Sequence, residues 1–138
     1  MLLRVLPLLV LLAMTCCREN RRVEVLRLTS PESRVDAVIA QSNAGATAPV
    51  VFRIYVVRAG AKLPDERMDI FRADHAKDLD LSWVAPRLLR IRYSQARIYH
   101  FSNFWQSADV DNFHYVIEAK LDPTSNNYSL SERDRWLK

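Results

Sequence analysis

The residues with the most chemical potential in this chain fall in two short segments, Tyr99-His100-Phe101 and Phe113-His114-Tyr115. If residues 96–101 pair antiparallel with residues 113–121 so that Phe101 faces Phe113, Tyr99 lies opposite Tyr115 on one face and His100 opposite His114 on the other. Flanked by Arg97, and by Arg90 and Arg92 from the preceding strand, the tyrosines would make an arginine and aromatic face suited to cation–π contacts or an anionic ligand. The two imidazoles are weak candidates for a divalent metal or a pH-sensitive contact, since they repel once both are protonated. The ordinary use of such residues weighs more in both cases. Alternating aromatics usually build core and cross-strand histidines are usually just hydrogen-bonded, so no metal site is assigned.

Asp74, His75, Asp78 and Asp80 form the densest cluster of potential metal ligands. The glycine and distal glutamate of a calcium loop are missing, and a solvated acidic loop is the better reading. There is no Gly-x-Ser-x-Gly elbow, Gly-x-Gly-x-x-Gly turn, phosphate-cradling loop or Cys-x-x-Cys pair. No catalytic residue and no cofactor are therefore nominated, although a triad assembled in space needs no motif.

Both cysteines, Cys16 and Cys17, sit just after an apolar run over residues 5–14 that follows a short basic start at Arg4. This is the three-part layout of a secretory signal, and the run is too short for a comfortable transmembrane helix. A cysteine at that junction resembles the lipid-attachment site of bacterial lipoproteins, with Cys17 fitting slightly better than Cys16. Neither matches the usual pattern cleanly, because Gly, Ala or Ser normally stands just before the cysteine. The competing reading is an uncleaved anchor, favoured by Arg18, Arg21 and Arg22 immediately beyond. With no other cysteine in the chain, no disulfide can staple the body.

Residues 1–17 are thus read as a signal or lipoprotein-type leader and 18–138 as a single mainly β domain, its tail polar from about residue 122. The full 138 residues leave no room for a second domain. An apolar fraction of 49% and only two glycines argue for a folded body. The net charge of +4 is mild and interleaved with acidic residues. It permits an anionic envelope partner but lacks the basic stripe of nucleic-acid binders, so no nucleic acid is expected.

Residues 23–28, 35–41, 50–58, 68–73, 79–83, 88–93, 96–101 and 113–121 alternate or cluster β-branched and aromatic residues between turn signals. The expectation is a small antiparallel meander or sandwich of about seven to eight strands, with a short C-terminal helix over 131–137 docked by Trp136. Within it, 35–41 and 50–58 pair as a hairpin that buries Val38 or Ile39 together with Ile54.

Five words of sequence together resemble a family of small exported bacterial proteins of the domain-of-unknown-function, lipoprotein-like type. They are Ser30-Pro31-Glu32, Ala44-Gly45-Ala46-Thr47, Leu81-Ser82-Trp83, Ala96-Arg97-Ile98-Tyr99 and Phe101-Ser102-Asn103-Phe104-Trp105. The resemblance covers roughly residues 30–105 and centres on a Gly-Ala-Thr hairpin loop. Some such sequences carry a cysteine before Gly-Ala-Thr; here Ala44 stands there, so any role of that thiol is absent. The family implies export and brings no activity with it. The functional expectation is an exported or membrane-anchored envelope protein on the periplasmic side, a non-catalytic binding or accessory module. The alternative is a small periplasmic hydrolase with a site built from loops.

Overall fold

Val51-Phe52-Arg53-Ile54-Tyr55-Val56-Val57-Arg58 is rich in side chains that fit a pleated surface, and it forms a strand near the middle of a five-stranded sheet. The computed structural model describes residues 21–124. Cys16, Cys17, the leader and the expected C-terminal helix lie outside the described residues. Nine strands occur among those described: β1 (Arg22–Thr29), β2 (Val35–Ser42), β3 (Val51–Arg58), β4 (Phe71–Lys77), β5 (Asp80–Ala85), β6 (Leu88–Tyr93), β7 (Gln95–Phe101), β8 (Phe104–Trp105) and β9 (Ile117–Pro123). Single 3-10 turns at Glu66–Met68 and Asp111–Phe113 are the only helical elements in that range. No helix among the described residues is long and apolar enough to cross a membrane.

The fold is mainly β, a sandwich of two sheets ordered β1-β2-β3-β4-β7 and β5-β6-β9-β8. All pairings are antiparallel except β6 with β9. Alternate residues of β2, β3 and β4 (Ala37, Ile39, Ile54, Val56, Phe71) share one core with Leu89, Ile91 and Ile117 of the other sheet. The expected hairpin is present, with Ile39 opposite Ile54, and Val38, Ile39 and Ile54 are all buried. β2 is buried on both faces. On its outer side Val38 and Ala40 join Tyr55 and Val57 of β3 in a second apolar cluster, roofed by Ala61 and Leu63 of the β3–β4 connection.

The expected pairing of residues 96–101 with 113–121 does not form. β7 pairs with β4 instead, placing Phe101 opposite Phe71, His100 opposite Arg72 and Arg97 opposite Asp74. Asp111, Asn112 and Phe113 take φ values of 51°, 44° and 68°. Three successive left-handed residues cannot continue a strand, so β9 starts only at Ile117. The Tyr99–Tyr115 and His100–His114 pairs therefore do not exist. β4 also begins later than expected and continues through Asp74 and His75, so these two belong to a strand and not to a solvated loop.

Each long edge strand carries one extra residue. Register shifts leave Val25 unmatched on β1, Val84 on β5 and Tyr99 on β7. These are also among the most exposed large side chains, at 54%, 54% and 55%. A bulge twists an edge away from a flat pairing template, so these exposed residues mark blunted edges.

Candidate functional site

Asp36 on β2 is nearly fully buried and organises one wall of a basic cleft. Its Oδ2 accepts from Arg27 Nη1 at 2.8 Å and from the Gly60 backbone N–H at 2.9 Å. Burial alone would raise the Asp36 pKa; the Gly60 N–H and the Arg27 guanidinium outweigh it and hold the carboxyl below its ordinary value. Gly60 sits at φ +79°, a conformation that favours glycine. The bond ties the β3–β4 connection to the sheet, and Ala61 and Leu63 complete the attachment through their apolar contacts. From the other side Arg22 Nη1 donates to the Pro64 carbonyl at 2.7 Å and to the Tyr55 hydroxyl at 2.9 Å.

Between β1 and this connection opens a cleft of about 760 Å³. Arg21, Arg22, Arg27 and Lys62 line it against Glu24 and Glu66. Arg27 also holds Glu24, at 2.8 and 2.9 Å, and Arg22 reaches Glu66 at 3.8 Å. Arg21 and Lys62 are exposed and make no ion pair among the described residues, which leaves the rim positively charged.

A second constellation gathers on β4 and β7. Asp74 is buried, and its oxygens accept from Arg97 Nε at 2.7 Å, Arg97 Nη2 at 2.5 Å and the Tyr99 hydroxyl at 2.6 Å. His75 Nδ1 lies 2.8 Å from the same carboxylate. The Arg97 guanidinium holds Asp74 far below the usual carboxylate range. The hydrogen bond to the Asp74 carboxylate pushes the Tyr99 phenol up. Arg97 also lies over the Tyr99 ring at 5.4 Å. Two of its guanidinium nitrogens are thus committed to an internal counterion.

The expected arginine and aromatic face is divided. Arg97 and Tyr99 come together, but Arg90 and Arg92 lie on β6 in the other sheet, beside Asp122 at 3.7 and 3.9 Å. Ser94 lies between β6 and β7, where the chain changes sheets, so consecutive strands do not share a face. Tyr115 is fully buried, its ring between Arg34 at 4.7 Å and Arg87 at 4.2 Å, its hydroxyl donating to Glu32 at 2.6 Å. His100 Nε2 donates to the Asp69 carbonyl at 3.1 Å, and His114 Nδ1 to the Asp111 carbonyl at 3.0 Å. Each histidine serves a local backbone contact.

Sequence reasoning noted Arg21 and Arg22 only as flanks of the leader and missed Arg27, Asp36, Gly60 and Lys62. One signal was legible: a glycine two residues past the β-branched run of residues 50–58 marks a turn of positive φ. That its N–H meets a carboxylate 24 positions earlier is a tertiary fact. No family model matches this chain, and neither a curated protein sequence nor a solved structure is significantly similar to it.

Proposed function

We propose that this is an exported envelope protein, held at a membrane on the periplasmic side by a lipid on Cys17 or Cys16, and acting as a non-catalytic module that binds an anionic envelope component. The observation that carries the reading is the position of the basic cleft. It begins at Arg21, four residues after Cys17, and adds Arg27 and Lys62 to the positive flank of the leader. The resemblance to small exported bacterial proteins supports the same compartment. Arg97 is a poorer anion site than the sequence suggested, because Asp74 already takes its charge.

Metabolic labelling with a fatty acid tests the tether. Label is expected in the wild-type chain and not in Cys17→Ser, with Cys16→Ser as the companion variant. An unlabelled wild-type chain in the soluble periplasmic fraction overturns it.

One observation favours the second reading, a small periplasmic hydrolase. The contact of His75 with Asp74 is the orienting half of a general base. Hydrolysis of ester or phosphoester probes that disappears in His75→Ala while the fold survives would support it.

A further inference from the structure

We infer that the cleft between β1 and residues 60–66 is a docking surface for the phosphate groups of an anionic phospholipid bilayer, so that the domain lies against the membrane that holds its N-terminus. The inference rests on the tethered reading above and adds the identity of the anionic component.

Reach is the first argument. A chain extends by at most about 3.6 Å per residue, so the step from Cys17 to Arg21 spans no more than about 14 Å. That is under two screening lengths of about 8 Å at physiological salt, so the tether lets the rim approach charged headgroups closely enough to feel their field when the domain lies against the bilayer. Any ligand carried by the same membrane meets the cleft at high effective concentration.

Charge placement is the second. Arg22 and Arg27 are braced by Glu66, Glu24 and Asp36, which hold the cleft open as a shaped wall. Arg21 and Lys62 stand exposed on opposite sides, one on the approach to β1 and one on the β3–β4 connection. Two separated ammonium and guanidinium groups across an open groove suit an array of phosphodiesters, each taking one cation.

The third is the shape of the edge strand. Val23 and Val25 on β1 are 50% and 54% exposed but do not line the cleft. The bulge at Val25 keeps this edge from adding a strand, which favours a lipid surface over a partner's β-strand.

Hydrogen exchange of the full chain purified from membranes tests this, with flotation measured on the same samples. The chain is bound to vesicles of phosphatidylcholine alone or with phosphatidylglycerol. The tether predicts flotation with both. Docking predicts that amides of residues 22–28 and 60–66 exchange about tenfold more slowly only when phosphatidylglycerol is present. This protection should vanish in 1 M salt and in Lys62→Glu and Arg21→Glu, whose melting temperatures should match the wild type. Flotation without phosphatidylglycerol-specific protection overturns docking and leaves the tether. Protection without flotation on phosphatidylcholine overturns the tether and leaves docking. Equal protection by soluble glycerol phosphate without vesicles, or by an anionic polysaccharide, also overturns the bilayer as the occupant.

Discussion

Gly60 donates its backbone N–H to Asp36 Oδ2 at 2.9 Å, and this bond holds the β3–β4 connection against β2. It couples a backbone of positive φ to a buried carboxylate that also neutralises Arg27. The basic cleft exists because this joint fixes its far wall.

Removing either half should therefore loosen the wall. Asp36→Ala strands the Gly60 N–H and removes one of the two counterions of Arg27, which keeps Glu24, and should cost about 1 to 3 kcal/mol in urea unfolding. Gly60→Ala meets no neighbouring atom within 4 Å, so its cost is backbone strain alone, about 1 to 2 kcal/mol. Asp36 is depressed in the folded state, so its contribution is fully present above an unfolded carboxylate pKa of about 3.9 and is lost as pH falls through the folded value. The stability gap between wild type and Asp36→Asn should hold from pH 7 to about 5 and shrink below about 4.

Arg97→Ala should lower the melting temperature, because it leaves the buried Asp74 without its counterion. Tyr99→Phe should lower it less, removing one of several donors to the same carboxylate. Neither should change association with anionic vesicles, measured by flotation. Loss of that association in Arg97→Ala at unchanged melting temperature would restore the β7 face as the anion site.

Ile54→Ala should cost about 2 to 5 kcal/mol, since Ile54 is fully buried opposite Ile39 where the two sheets meet. A loss under half a kilocalorie in denaturant titration would remove it from the core.

The bulges make a sharper test of topology. Val84→Thr alters only an exposed side chain and should change stability by less than about 0.5 kcal/mol. Deleting Val84 removes the extra residue, so Trp83 stays opposite Leu89, Ala85 stays opposite Leu88, and Leu81 and Trp83 keep their faces. Circular dichroism should then report a retained native sheet, whereas deleting Ser82, inside the regular ladder, shifts the register of Leu81 and should abolish it.

The hairpin of β2 and β3 was legible because its alternation and β-branched content are local properties. β6 was legible for the same reason, and residues 88–93 match it end to end. Partner choice was not. Residues 96–101 carry the same apolar alternation toward any partner, and only the left-handed turn at Asp111–Phe113 and the Asp74–Arg97 pair decide that β7 joins β4. Val110 and Tyr115 are buried around that turn as plugs of the core, although the sequence reads them as parts of a loop and a strand. At the cleft, the basic residues near the leader were visible, whereas Lys62 reaches them only because Gly60 closes onto Asp36.

Mass spectrometry of the N-terminal peptide of the mature protein, recovered from membranes, tests the tethered reading most directly. The expected peptide begins at Cys17 and carries a diacylglyceryl thioether. An unmodified N-terminus on a soluble chain, or a membrane-bound chain that still begins at Met1, would contradict it.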